Sequence, residues 1–448
     1  VTGLPDAVET LMPHVAADNT RALLAASNGN IYDVTSAGTL SAPIASGYLN
    51  SRFQTAQFKD RLFAVNGADA PAVYDGSTWS DAGFSGTGLD ATTLASVTLH
   101  QARLYFIEDD SGRFWYAGPG SISGTLNSFD LSPLATSGGE LMAMGSWSRD
   151  GGSGPDDLAV FVMSGGDVLV YSGSDPASAS TWSLVGVYRI GRPLGRRCLV
   201  KTGPDLIVLT EDGYVSLSAA LSEARSSGGS TSPSDIIRSA VMENARDNLY
   251  SFGWQAVLYP RDGLLIINAP SMRNQYEQHV LSLASGAWCR FVGMPALCWA
   301  VSDEGLYFGD GAGGIYQADE GYLDDDSNIE AECRTSFQPI GERGIKRFLM
   351  LRPILAAESP ITYTLGFDTD FSNAEIGFEP NYGEVVGALW NLAIWDEEAW
   401  ANAITAFTDW HVIQGLGETF SIRIKTSTRA QPVRIIGFDL MHQPGFGL

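Results

Sequence analysis

The chain has 448 residues, more than one typical core holds, so two or three domains are expected. Apolar residues make up 44% and charged residues only 17%, against roughly 25% charged in an average soluble protein; with glycine-rich turns at short intervals this points to an all-β protein. The net charge of −24, from 27 basic and 51 acidic residues, excludes wrapping of nucleic acid, which takes Lys and Arg to neutralise phosphates. It suits plain solubility first, and is compatible with a wall that DNA passes without sticking.

Residues 1–20 read as a lead-in, with Pro5 and Pro13 breaking regular structure. From 21 to 329 one hairpin unit recurs: an apolar run, a Gly/Asp/Asn turn, and a second run ending in Tyr or Val. The first runs begin at Leu23, Leu62, Leu104, Leu158, Leu206, Leu264 and Leu306, at spacings of 39 to 58 residues. A shortest period near 40 suits a four-stranded blade, and the longer ones suit loop insertions. The expectation is a β-propeller of about seven blades, with six or eight as alternatives. A ring of blades hides its strand edges and leaves function to loops and added domains. The loops Gly145–Gly154 and Ser172–Ser180 are long enough to serve as gates. Trp79, Trp182 and Trp288 each follow a turn that closes a unit, and they read as rings packed between blades.

The β pattern breaks at Ser226–Thr231. There follow Ser232 as N-cap, Pro233 at the first helical position and Asp235 in the first turn, so a helix of 12–15 residues is expected within 232–248. Its apolar face carries Ile236, Ile237 and Val241. That face packs either on its own propeller or on a neighbouring subunit, and it is a candidate interface. After Asp324-Asp325-Asp326 the strands lengthen and alternate, as in Ser421–Lys425, which predicts a C-terminal β-sandwich over 330–448. Between its strands lie Trp390, Trp395, Trp400 and Trp410, a second candidate interface or a local mini-core.

No catalytic or metal-binding pattern emerges, and no cofactor is expected. Cys198, Cys289, Cys298 and Cys333 form no C-x-x-C pair and read as buried reduced thiols. His14, His100, His279, His411 and His442 show no metal-ligand spacing. Glu108-Asp109-Asp110 and Asp324-Asp325-Asp326 read as turn-forming acids, because hydrolysis needs two carboxylates facing each other across a pocket. Arg192, Arg196 and Arg197 cluster at a blade start, as an anion site or, more in keeping with their charge, a solvated or intersubunit ion-pair face. No membrane span or signal peptide is visible, and the start at Val1 leaves room for a missing upstream piece.

Three stretches, LLAASNGNIYDV from Leu23, FKDRLFAVNGADAPAVYDGSTW from Phe58 and GPDLIVLTEDGYVSLS from Gly203, resemble the tail nozzle, or tail-hub, proteins of short-tailed bacteriophages. The later FQPIGERGIKRFLML from Phe337 resembles the start of the domain that follows the propeller in that family. The resemblance implies a structural virion protein, assembled in the host cytoplasm as a homo-hexameric ring. Such a ring sits below the portal and adaptor proteins, docks tail fibres, and conducts genomic DNA through an acidic lumen without sequence-specific binding. It implies no membrane anchor and no catalytic residues; the short segment before the first blade departs from the family. The competing readings are a propeller-based glycan-binding or glycan-cleaving tail protein and a kelch-like interaction scaffold. The glycan reading would place acids, Arg and Trp around the propeller axis.

Overall fold

Each of the seven apolar hairpins forms the second and third strands of one antiparallel sheet. The computed structural model describes residues 1–448 apart from 39, 151–154, 224–231, 272–274, 326, 342–343, 359–360, 373–404, 429–430 and 445–448. Two compact units emerge, Val1–Ala318 and Asp319–Leu448, so the division falls earlier than residue 330.

In the first unit, blade 1 comprises Val8–Val15, Arg21–Ser27, Asn30–Asp33 and Ala45–Ser46. Blade 2 comprises Gln54–Phe58, Arg61–Val65, Ala72–Tyr74 and Trp79–Asp81, and blade 3 Leu94–His100, Arg103–Glu108, Arg113–Tyr116 and Asn127–Asp130. Blade 4 comprises Leu141–Asp150, Pro155–Met163, Asp167–Gly173 and Trp182–Arg189. Blade 5 has three strands, Leu199–Thr202, Asp205–Thr210 and Gly213–Ser216. Blade 6 comprises Gln255–Tyr259, Leu264–Pro270, Tyr276–Ser282 and Trp288–Phe291, and blade 7 Ala296–Ser302, Gly305–Asp310 and Ile315–Ala318.

The second strands read as unbroken apolar runs because both of their faces are buried. In blade 3, Leu104 and Phe106 pack toward blade 2, while Tyr105 and Ile107 pack toward blade 4. In blade 4, Ala159, Phe161 and Met163 face blade 3, and Leu158, Val160 and Val162 face blade 5. Each fully buried side chain of this size contributes about 1.5–3 kcal/mol. Apolar clusters of this kind join blades 1 and 2, 2 and 3, 3 and 4, 4 through 6, 6 and 7, and finally 7 and 1. The unit is therefore a closed seven-bladed propeller.

The seam between blades 7 and 1 is sealed by Val8, Leu11 and Leu23 against Cys298, Ala300 and Ile315. The backbone adds to it: Val1 and Ile315 exchange hydrogen bonds of 2.9 and 2.8 Å, and the Leu4 amide donates to the Gly313 carbonyl at 3.2 Å. Residues 1–20 are thus largely a working part of blade 1. Pro13 lies inside the strand Val8–Val15, opposite Leu23. That strand is the edge of its sheet, where a missing N–H costs no ladder bond. The hairpin that follows turns at Asn28 and Gly29, both at positive φ (50° and 70°), as a two-residue turn demands. A side chain at Gly29 would run into the Tyr48 carbonyl.

Two helices, α1 (Leu217–Glu223) and α2 (Arg238–Asn248), follow the third strand of blade 5. The helical segment begins with a 3-10 turn at Asp235–Ile237, later than the expected cap at Ser232. The reason is that both serines are committed elsewhere. Ser234 Oγ accepts from the Tyr214 amide at 2.8 Å and Ser232 Oγ donates to the Tyr214 carbonyl, so their hydroxyls blunt the blade edge rather than cap the helix.

Trp182 is buried between blades 3 and 4, Trp79 packs between blades 1 and 2, and Trp288 packs against the blade 4–6 core. In the second unit, Ile329–Arg334, Gln338–Pro339, Thr362–Thr369 and Thr419–Thr428 form one sheet. Lys346–Ala357, Thr405–Phe407, His411–Gly417 and Val433–Pro444 form the other. Phe348, Leu351 and Leu355 meet Tyr363, Phe420, Ile422 and Ile424 in the core between them.

Candidate functional site at the propeller axis

The first strands of the blades surround a central cavity of 250 Å³, lined among others by Leu11, Thr55, Val97, Ala143, Leu199 and Trp299. That is below the 300–1,000 Å³ typical of ligand pockets. Arg196 and Arg197 enter it together, just before the first strand of blade 5. Neighbours on an extended chain point to opposite sides, and these two brace opposite halves of the ring.

Arg197 is partly buried, and the desolvation disfavours its charge. Its Nη2 donates to Thr10 Oγ1 at 2.8 Å, the Phe53 carbonyl at 3.0 Å and the Glu9 carbonyl at 3.2 Å. Its Nη1 reaches Gln255 Oε1 at 3.5 Å. The Glu9 carbonyl is available because the ladder between the first two strands of blade 1 slips between Val8 and Thr10. Gln255 in turn exchanges bonds of 2.8 and 3.0 Å with the backbone of Trp299. On the other side, Arg196 pairs with Asp109, lies 3.5 Å from Glu140, and donates to the Leu141 carbonyl at 3.3 Å. These two guanidinium groups and Gln255 thus link all seven blades across the axis. The expectation of a solvated or intersubunit ion-pair face fails for Arg196 and Arg197, because their partners lie within the same unit. Arg192 alone is largely exposed, 3.5 Å from Glu211.

Above the plug lies the loop that leaves α2. Phe252 is held between two cations, with Arg52 Cζ 4.5 Å and Arg197 Cζ 5.2 Å from its ring centre. Tyr250, at the tip, is 91% exposed. On one side the loop borders a 1210 Å³ cleft whose charged lining is Glu9, Arg52, Asp247 and Asp310. On the other it borders a 630 Å³ cavity whose charged lining is Arg52, Glu140, Arg192 and Arg196. The segment Tyr250-Ser251-Phe252-Gly253-Trp254, with three aromatics in five residues, is the sequence signal for this loop. Arg52 carries no comparable signal.

Asp109, Asp110 and Glu140 come within 4.8 Å of one another, but Arg196 already supplies a cation to this group. Glu108 accepts from Trp115 Nε1 at 3.0 Å, and Asp110 sits at φ 52° in the turn. The acids of this run therefore serve the turn and the plug. The two candidate gates belong to blade 4. Of the first, Gly145–Asp150 belongs to the strand Leu141–Asp150 rather than to a loop, and residues 151–154 lie outside the described residues; Asp175 in the second pairs with Arg103 at 3.3 Å.

The candidate interface residues separate. Val241 is fully buried, with Ala245, in the blade 4–6 core, and Ile237 packs against that core. This face of α2 is thus used within its own propeller, and Val241 cannot meet a partner. Ile236 is 83% exposed. Trp410 is 39% exposed and carries Arg352 Cζ 4.8 Å from its ring centre. Trp390, Trp395 and Trp400 lie outside the described residues. Cys198 and Cys298 are buried, and burial pushes both thiols up to about 12. Cys289 and Cys333, expected to be buried, are exposed.

Four of the five histidines are buried. Burial pulls the His100 imidazole below its ordinary value, with Asp157 and the Gly173 backbone opposing; His411 shifts the same way, opposed by Asp409. A histidine depressed in the folded state leaves the unfolded chain binding more protons, so stability drops as pH falls through about 6.5. Carboxylates held low by hydrogen bonds, such as Asp130 on Ser132, lose their contribution only below about 4. Urea midpoints are therefore expected to fall between pH 7.5 and 5. For the propeller unit, His100→Asn should flatten that slope; an unchanged slope would remove His100 as its source.

No family model matches this chain, and no curated protein matches it. Solved structures do. PorZ, an essential bacterial surface component of the type-IX secretion system of Porphyromonas gingivalis, is 13% identical over 70% of this chain and 37% of its own, with a TM-score of 0.42. YCF48 bound to a D1 peptide is 12% identical over 71% of this chain and 93% of its own, also at 0.42. The N-terminal part of BBS1, solved with ARL6, is 15% identical over 48% of this chain and 66% of its own, at 0.34. The match thus spans little more than a third of PorZ. At such identities and TM-scores these likenesses say nothing of function.

Proposed function

We propose that this chain is a structural protein of a phage virion, one subunit of a six-membered tail nozzle that retains the genome and then conducts it. The observation that carries the reading is the resemblance of Leu23–Val34, Phe58–Trp79 and Gly203–Ser218 to the nozzle family. These stretches coincide with the hairpins of blades 1, 2 and 5. The plugged axis bears on how such a nozzle would work. A duct for DNA cannot run through a propeller closed by Arg196 and Arg197, so it would lie between copies, walled by their outer surfaces. A net charge of −24 suits that wall, since like charge repels the phosphates. Portal and adaptor proteins would bind above the ring and tail fibres around it.

The test is the native mass of the protein, alone and mixed with a phage portal–adaptor complex, with electron-microscope class averages. A six-fold ring, or six copies added to the complex, is expected. A monomer that ignores the complex would overturn the reading.

A further inference from the structure

The 630 Å³ cavity beside the axis differs in character from the rest of this acidic chain. Its charged lining is three arginines, Arg52, Arg192 and Arg196, against one acid, Glu140. Arg196 is spent on Asp109, Glu140 and the Leu141 carbonyl. The other two are not. Arg52 commits only its Nε, 2.9 Å from Glu9 Oε1, and its stacked face on Phe252. Arg192 commits only its Nε and its backbone amide, both to Glu211 Oε1. Among the described residues, the paired Nη groups of both have no hydrogen-bond partner, and both residues line the same cavity. A guanidinium presents its Nη donors in a planar fork that matches an oxyanion. Tyr250, almost fully exposed, lines the same space. An exposed aromatic ring with a hydroxyl at its edge offers a flat apolar face and a polar tip to one ligand. The volume lies in the range of pockets that hold one small ligand.

We infer that this cavity binds a carboxylate-bearing sugar residue, its carboxylate held by the free Nη groups of Arg52 and Arg192 and its ring laid against Tyr250. The carboxylate supplies the charge that two uncommitted guanidiniums recognise. The sugar ring supplies the flat face and hydroxyls that Tyr250 and the Ser164 side chain can meet. The site lies within one propeller, beside its axis, and does not depend on the assembly proposed above. It involves no bond making or breaking.

The test is titration calorimetry of the full chain at low ionic strength with glucuronate, glucose and inorganic phosphate. Glucuronate is expected to bind and glucose to give no saturable heat. Arg192→Ala and Tyr250→Ala, both at exposed positions outside the plug, should each weaken glucuronate at least tenfold without moving the melting temperature. Glu211→Gln releases Arg192 from its carboxylate and should tighten binding. Glucuronate binding no better than glucose, or unchanged by Arg192→Ala, would overturn the site. Phosphate binding as tightly as glucuronate, with no response to Tyr250→Ala, would overturn the assignment to a sugar.

Discussion

Replacing Arg197 by methionine is expected to lower the stability of the propeller by about 2–4 kcal/mol. The substitution removes a partly buried charge, and relief of its desolvation offsets part of the loss. What it leaves behind decides the sign. Thr10 Oγ1 keeps its bonds to the Phe53 amide and the Ser51 carbonyl, and Gln255 Oε1 keeps the Trp299 amide. The Glu9 and Phe53 carbonyls lose the guanidinium, and an orphaned buried acceptor costs about 1–3 kcal/mol. Phe252 loses one of its two cations as well. Arg197→Lys should recover only part of the loss, because one ammonium cannot present the planar fork that spans three blades. Equilibrium urea unfolding of both variants would measure this. A loss under about 1 kcal/mol for the methionine variant would mean that the plug is incidental to stability.

Gly309→Val should cost as much or more, about 3 kcal/mol, through overpacking at the seam. Gly309 lies in the second strand of blade 7, facing blade 1. A Cβ there would stand 2.5 Å from Val8 Cγ1, 2.6 Å from Val8 Cβ and 3.1 Å from Cys298 Sγ. Valine adds two further methyls to that collision. Val8 is fully buried and belongs to the strand that closes the ring, so it has nowhere to retreat. A paired Val8→Ala change should restore part of the stability, since the two positions touch and their effects do not add. A single valine variant as stable as the parent would show that the seam yields at little cost. The alanine pair would then be uninformative, and protection of blade 1 amides from exchange would become the sharper measure of closure.

The propeller was legible because its signal is local. Leu62-Phe63-Ala64-Val65 is apolar at every position, and every position is buried, alternately toward blades 1 and 3. Turns such as Asn28-Gly29 punctuate the runs with residues that accept positive φ. The strand Val8–Val15 was hidden by Pro13, a residue that an edge strand tolerates. The helix start was misplaced because Ser232 and Ser234 serve a strand some 18–20 residues earlier, an allegiance no cap motif reveals. The axial plug was least legible of all. Arg197 is separated from Phe53 by 144 residues and from Glu9 by 188, and nothing in its immediate neighbours distinguishes it from a surface arginine. Local periodicity carries strands; it does not carry contacts made only when the circle closes.

That closing contact also sets a schedule. Leu4 bonds to Gly313, and Val1 to Ile315 across 314 residues, so the face of blade 1 that meets blade 7 stays uncovered until blade 7 exists. At a synthesis rate of about 5–20 residues per second, the early strands wait on the order of 15–60 seconds for their last partner. Through that interval Val8, Leu11 and Leu23 present an open apolar face beside an unpaired strand, the arrangement most prone to mispairing with a second nascent chain. The chain is most exposed to error while it is being made.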